Sequence, residues 1–402
     1  MFAVLTPARK GLRRVMRPVV PWLASAVAAF GLAACEPLAL TPMQSGGPTI
    51  SSDAPVPVAL LVPRGSGNTS DDLLAQSLEN AARLAISDLN GVKIDLRVYG
   101  TAGNAGQAQS AAKQAVADGA KIILGPVFAE AANAAGVAVA PAGVNVLSFS
   151  NNVTIAGGNV FVLGPTFSNT ADRLANYAVR QGKRRILITH ADNIGGQLGA
   201  RAISSAVSRA GGSIAGSVDY EFSQQGLIAA IPQIKAAATN GAADAIFMTA
   251  NSNADLPLLS QMLPEAGLSP TALQYIGLTR WDVPAQTTDL PGVQGGWFAL
   301  PDPALARQFQ SRYTAAFGSA PHPIGGLAYD GIAAIGALVE AGQSNALTGA
   351  ALTQSAGFQG VSGVFRLRPN GTNERGLAVA TIRDKKVVIL DPAPRGFSGG
   401  GF

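Results

Sequence analysis

The run Ala120-Lys-Ile-Ile-Leu-Gly-Pro-Val-Phe-Ala-Glu-Ala-Ala-Asn-Ala-Ala-Gly136 limits what this chain can fold into more than any other segment. A short apolar stretch from Lys121 to Leu124 meets a Gly-Pro break and then an alanine-rich helical pattern, which predicts a strand, a turn and a helix. A strand with no alternation of apolar and polar residues belongs in a parallel sheet covered by helices on both faces. Such sheets take ligands at the carboxyl ends of their strands, where helix amino termini present unpaired N–H groups and the positive end of the dipole. Gly125 to Phe128 either lines a cleft of that kind or is a plain loop, and a single turn does not choose between them.

The first 34 residues carry Arg9, Lys10, Arg13, Arg14 and Arg17 with no acid, followed by an uncharged stretch from Val19 to Ala34. A charged head before an apolar core too short for a permanent span is the pattern of an export signal. The signal closes on Leu32-Ala-Ala-Cys35, a spacing that resembles a bacterial lipobox, and Cys35 is the single cysteine of the 402 residues. The resemblance implies a lipidated Cys35 at the mature amino terminus and a periplasmic protein anchored to a membrane. Glu36 in the next position favours the outer membrane. A secretory signal with an accidental cysteine is the alternative. Of the 29 basic residues five lie in this leader, which leaves 24 against 24 acidic ones. The net charge of +5 therefore belongs to the leader and gives no argument for a nucleic-acid partner. With no second cysteine there is no internal disulfide, so a large core must hold the fold.

Residues 35–55 are rich in Pro, Ser, Gly and Thr and read as a flexible tether; residues 393–402 read as a disordered tail. Between them lie about 335 residues, the size of two α/β domains. Val58 to Val62 is the first strand. A helix follows in which Leu74, Leu78, Ala82, Ala85 and Leu89 form one apolar stripe, and Val92, Ile94, Leu96 and Val98 alternate as a half-covered strand would. Helix Ala105 to Ala117, strand Lys121 to Leu124, a helix from Phe128 to Val139 and strand Val144 to Ser148 continue a strict β-α-β-α order. That order predicts doubly wound, Rossmann-like parallel sheets. Gly164-Pro165-Thr166 breaks the series, and a second series runs from a helix at Phe167 to a strand at Gln274 to Gly277. Pro301-Asp-Pro303 is a further break, Gly360 to Gly371 is turn-rich, and two strands close the chain at Leu377 to Arg383 and Lys386 to Leu390.

The catalytic inventory is thin. His190 and His322 are the only histidines, far apart and without metal-ligand spacing, and no nucleophile elbow or phosphate loop is present. The expectation is a non-catalytic protein with no metal and no cofactor. What recurs is small polar residues at strand carboxyl ends: Ser66 and Gly67, then Pro126, Val127 and Phe128, then Ser148, Phe149, Ser150 and Asn151. The second series adds Asp192 and Asn193, Asn251 and Ser252, and Arg280 with Trp281. Donors from two lobes with one aromatic on each side, Phe149 and Trp281, suit a small polar ligand. The competing explanation is that Ser and Asn gather there to cap helices.

Over roughly residues 56 to 392 the chain resembles the leucine-binding branch of the type 1 periplasmic binding proteins, through Val58 to Val62, Gly125-Pro126, Leu147-Ser-Phe-Ser150, Gly326-Leu-Ala-Tyr-Asp-Gly331, Gly360-Val-Ser-Gly363 and Pro369-Asn-Gly371. The resemblance implies two lobes joined by three hinge crossovers, lobe 1 from 56–165 and 300–361, lobe 2 from 166–299 and 362–392. It adds Tyr329 and Asp330 to the ligand-binding candidates. Where amino-acid binders of the family place a serine after Gly-Pro, an Ala-x-Thr and a Tyr-Gly pair, this chain has Phe128-Ala-Glu130, Ser148-Phe-Ser150 and Asn193-Ile-Gly195. The segments Gly277 to Pro284 and Gly295 to Pro303 look like the lipoproteins called penicillin-binding protein activators. That likeness implies a regulator of peptidoglycan synthesis with a peptidoglycan synthase as partner. The alternative is a solute receptor that delivers an amino acid or related solute to an ABC permease.

Overall fold

The structure, a computed structural model, describes residues 47–51 and 54–397. The export signal, Cys35 and residues 398–402 lie outside the described residues.

Strand β1 (Val56–Val62) shows why the first apolar runs have no alternation: Val58, Leu60 and Val62 enter one core cluster while Ala59 and Leu61 enter another on the opposite face. Both faces of the sheet are covered. β1 pairs in parallel with β2 (Ile94–Gly100) and β3 (Ile122–Leu124), and β4 (Asn145–Ser148) and β5 (Val160–Val162) complete a five-stranded parallel sheet in the order β2-β1-β3-β4-β5. Helix α1 (Thr69–Asp88) packs on one face. Helices α2 (Ala105–Ala117) and α3 (Ala129–Val139) pack on the other, where Ala112 and Ala135 are fully buried. Alanine is the residue a helix needs to lie this close to a sheet and to its neighbour without a cavity.

The second sheet has seven strands in the order β15-β14-β10-β9-β8-β6-β7. Strands β6 (Arg185–Ala191), β7 (Ser213–Tyr220), β8 (Ala245–Met248), β9 (Gln274–Gly277) and β10 (Trp297–Leu300) run parallel. Helices α4 (Phe167–Arg180) and α5 (Ile194–Arg209) cover one face, α6 (Gln224–Asn240) and α7 (Leu256–Glu265) the other. After β10 the chain returns to α1 with α8 (Pro303–Phe317) and α9 (Gly326–Glu340), followed by the short α10 (Gly349–Leu352). It then comes back to the second sheet as the antiparallel strands β14 (Ala378–Arg383) and β15 (Lys386–Asp391).

The segment expected to be turns forms a third sheet of three antiparallel strands, β11 (Phe358–Gly360), β12 (Gly363–Leu367) and β13 (Asn373–Arg375). It lies where the chain makes its third passage, with β11 against α9 and β13 against α4. β13 stitches the first passage in place. Asn373 Nδ2 donates to the carbonyls of Val162 and Gly164 at 2.8 Å each, and Arg375 Nε donates to that of Leu163 at 3.1 Å. From the other side Asn169 Nδ2 donates to the Asn373 carbonyl at 3.1 Å.

One described residue of each terminal stretch makes a contact with the folded part. In the tether, Ile50 packs on the first core and its N–H donates to the Ser344 carbonyl at 2.9 Å. In the tail, the Phe397 ring lies 4.5 Å from the Arg366 guanidinium carbon. Each is an apolar side chain finding a place on an existing surface, which composition does not reveal.

Candidate functional site between the two carboxyl edges

Residues 163–166 lead from the carboxyl end of β5 to the amino end of α4, which runs antiparallel to β6 and so begins at the carboxyl edge of the second sheet. Four residues span at most roughly 14 Å. Residues 301–302 make the same short connection from the carboxyl end of β10 to the start of α8. The carboxyl edges of both sheets are therefore turned to the same region.

On the first edge, Ser66 and Gly67 sit in the loop after β1, where the Ser66 hydroxyl accepts the Asn68 N–H at 3.1 Å and Gly67 has φ +78°. Phe128 stands at the amino end of α3 with 39 % of its surface exposed, and α3 starts without a side-chain cap. The ring lies over Gly103, where a Cβ would come within 3.2 Å of it. The loops after β2 and β3 thus meet. Asn151 is exposed beside them, Pro126 is buried and Val127 is half-buried against the core.

Three expectations on this edge are corrected. Ser148 is fully buried, and its hydroxyl is used twice, donating to the Pro126 carbonyl at 3.0 Å and accepting the Ser150 N–H at 3.1 Å. Ser150 is buried too, and its hydroxyl accepts the Asn152 N–H at 3.1 Å. Phe149, expected as a cleft aromatic, turns into the core under Gly125. These side chains shape the turn and its floor, as the capping explanation for such residues requires.

The α9 candidates are corrected as well. Asp330 is fully buried, accepting the Val361 N–H at 2.8 Å and pairing with Arg375 at 3.1 Å. Burial pushes its carboxyl up, against the opposing pull of Arg375. Tyr329 donates to Asp88 Oδ2 at 2.5 Å, at the end of α1 that lies away from the carboxyl edge. Burial, with Asp88 beside it, pushes the Tyr329 phenol up to about 12.

On the second edge, Asn193 caps α5 by accepting the Gly196 N–H at 2.8 Å, and its neighbour Ile194 is 77 % exposed. Asp192 is exposed, but its carboxylate accepts the Phe222 N–H at 3.1 Å and so holds the loop after β7. Phe222 is 51 % exposed. Sequence reasoning missed it, although Tyr220 to Ser223 is a strand end like the others. Asn251 accepts the Asn253 N–H at 2.9 Å, and Arg280 is exposed and pairs with Asp282. Ser252 is buried, donating to the Arg280 carbonyl at 2.7 Å.

Trp281, the second expected cleft aromatic, is 0 % exposed. Its ring fills a slot made by two glycines: a Cβ on Gly277 would lie 2.2 Å from Nε1 and one on Gly296 2.2 Å from Cζ3. It stacks on Phe298 with centroids 6.3 Å apart. Gly277, Trp281, Gly296 and Phe298, which lie in the two segments that look like those of the activator lipoproteins, form a packing unit of the second core.

His190 lies at the end of β6 with Nδ1 2.9 Å from the Ala191 carbonyl oxygen, and His322 is in the other lobe, its N–H donating to Ser77. Burial lowers the His322 pKa. Among the described residues no three His, Cys, Asp or Glu side chains are grouped to hold a metal ion.

Among solved structures, the chain is similar to one from Rhodospirillum rubrum described as a branched-chain amino acid ABC transporter, at 19 % identity over 84 % of this chain and 100 % of that one, with a TM-score of 0.70. It is also similar to a branched chain amino acid ABC transporter periplasmic ligand-binding protein from Burkholderia xenovorans LB400, at 20 % identity over 86 % and 97 %, TM-score 0.66. A leucine binding protein from Thermotoga maritima MSB8 matches at 17 % over 84 % and 98 %, TM-score 0.54. At these identities the likeness shows the two-lobed α/β fold. A comparison with curated proteins found no match. The family model described as periplasmic binding protein matches residues 55–386, and the chain belongs to that family.

Proposed function

We propose that the protein is a non-catalytic solute receptor that holds a small amphipathic solute between the two carboxyl edges and delivers it to an ABC permease. The observation that carries this is where exposed apolar side chains stand. Phe128, Ile194 and Phe222 are large, open to solvent and set at strand ends or helix starts of the two edges. Apolar surface left uncovered beside helix amino termini is what a ligand site offers before it is filled. Around these three, Ser66, Gly67, Asn151, Asp192, Asn193, Asn251 and Arg280 are the polar candidates that remain accessible. The lobes are taken as 56–165 with 300–361 and 166–299 with 362–392. A lipid on Cys35 would tether the receptor in the periplasm; among the described residues no helix is long and apolar enough to cross a membrane.

Thermal melting against a panel of free amino acids tests the function. A solute at 100 times its Kd stabilises by about 2.7 kcal/mol. Stabilisation by at least one member is expected, and a panel that leaves the melting temperature unmoved rejects a receptor for such solutes. A regulator of a peptidoglycan synthase is the second candidate, favoured by the exposed part of the same activator-like segment, where Val283 stands open beside Arg280. Recovery of a synthase by the lipidated protein from membranes would support it, and recovery of a permease alone would reject it.

A further inference from the structure

Between the amino ends of α6 and α7, at the carboxyl edge of the second sheet, lies a pocket of about 410 Å³. Leu227 forms its buried floor, Pro257 and Leu258 line the α7 side, and Phe222 is an exposed lip. The lip is fixed: the Phe222 N–H is held by Asp192, and Ser223 caps α6 by accepting the Gly226 N–H at 2.9 Å. One end of the groove is polar. Asp255 Oδ1 accepts the Asn251 N–H at 2.6 Å, and Oδ2 accepts the Tyr220 hydroxyl. Among the described residues no arginine or lysine pairs with Asp255, whereas Asp172, Asp244 and Asp282 of the same lobe each have an arginine. A carboxylate has about four acceptor positions, and two are used here.

We propose that this groove is an amine-selective apolar subsite, taking the aliphatic or aromatic group of a primary amine between α6 and α7 and its ammonium at Asp255. The proposal rests on the solute-receptor function above and adds the chemical class of the solute. The volume falls in the range of small-molecule pockets, about 300–1,000 Å³. An ammonium donates into the two open acceptor positions and supplies the counter-charge that the protein does not. A carboxylate of the same skeleton would meet Asp255 as a like charge.

The test titrates the full chain with 3-methylbutylamine and with 3-methylbutanoate, followed by NMR. The amine is expected to bind at least about ten times more tightly than the acid, as a charge-assisted hydrogen bond at a partly buried site requires. Ala254→Trp, placed at an exposed residue of the lining, fills the groove without touching the core and should weaken the amine at least about ten-fold. Asp255→Asn should bring the amine close to the neutral 3-methylbutanol. Equal binding of amine and acid, amine binding unchanged in Ala254→Trp, or no amine binding by the unsubstituted protein at millimolar concentration each overturns the proposal. Amino-acid stabilisation that survives Ala254→Trp keeps the receptor function while removing the groove from it. Absence of any stabilisation in the unsubstituted protein removes the function itself.

Discussion

Trp281 separates a residue that holds the fold from one that holds a ligand, and Trp281→Ala tells the two apart. The ring has no solvent exposure, packs on Phe298 and fills the slot between Gly277 and Gly296. Truncating a buried Trp to Ala costs about 3–5 kcal/mol. Among the described residues its Nε1–H has no hydrogen-bond partner, so the truncation also removes a buried unsatisfied donor, and the lower end, about 3 kcal/mol, is expected. If the second lobe melts as a unit of 150–250 residues, each kcal/mol moves Tm by about 2–4 °C, which gives a fall of about 6–12 °C. Circular-dichroism melts measure it. Affinity for the solute found by thermal shift should stay within about two-fold at a temperature where the variant is folded. Gly296→Ala supplies the reciprocal check. It should cost about 1–3 kcal/mol in the unsubstituted protein through overpacking, and much less in the Trp281→Ala background, where the ring it collides with is gone. A Tm unchanged in Trp281→Ala with affinity lost ten-fold or more would return Trp281 to the ligand site and refute the packing argument.

Arg375→Met leaves Asp330 buried without its partner and should cost about 3–5 kcal/mol in urea melts, whereas adding Asp330→Leu should recover much of it. Glu79 predicts a pH effect: burial alone would raise its carboxyl, but hydrogen bonds from Arg64 and Arg83 outweigh burial and hold it below the ordinary 4.5. A folded-state pKa below the unfolded one contributes stability that is present above the unfolded value and lost as pH falls through the folded value. Both arginines are largely exposed, so the contribution is small, about 1 kcal/mol, and Glu79→Gln should lose less stability than the unsubstituted protein between about pH 5 and pH 2. Cys35→Ala should move the protein from the membrane fraction to the soluble periplasm, and an unchanged membrane fraction would count against the lipobox.

The parts of the fold legible in the sequence were those fixed by local pattern. Val58 to Val62 has one partner face for each parity of residue, so its apolar run had a single reading, and the alternation around Ile94 to Val98 matches an edge strand whose side chains are half-buried. The three-stranded sheet of 358–375 was not legible. Gly360, Gly363, Gly371 and Pro369 read as turns, and what makes strands of the residues between them is antiparallel pairing and the Arg375 side chain lying 5.1 Å over the Phe365 ring. At the site, the sequence located the strand ends but not the direction of the side chains on them. Phe128 and Phe149 both follow a strand end, yet one is open and the other lies in the core. For Trp281 the flanking Gly277 and Gly296 were a usable sign, because glycines opposite a large ring make room for it.

The exposed residues also bound how the two edges could bind anything. At exposures of 39, 77 and 51 %, Phe128, Ile194 and Phe222 together leave roughly 300 Å² of apolar surface open, taking side chains of this size at 150–250 Å² each. Covering half of it on ligand entry and closure would contribute about 4 kcal/mol at 25 cal/mol per Å². Loss of translational and rotational freedom costs about 4–15 kcal/mol. Apolar contact at these three residues therefore does no more than offset the smallest of those costs. Net affinity has to come from directed polar contacts, for which the uncapped start of α3 on one edge and Asp255 on the other, which pairs with no arginine or lysine among the described residues, are the strongest sources in view. An apolar molecule with no donor or acceptor should accordingly bind neither edge firmly enough to close the lobes, however well its shape fits the groove.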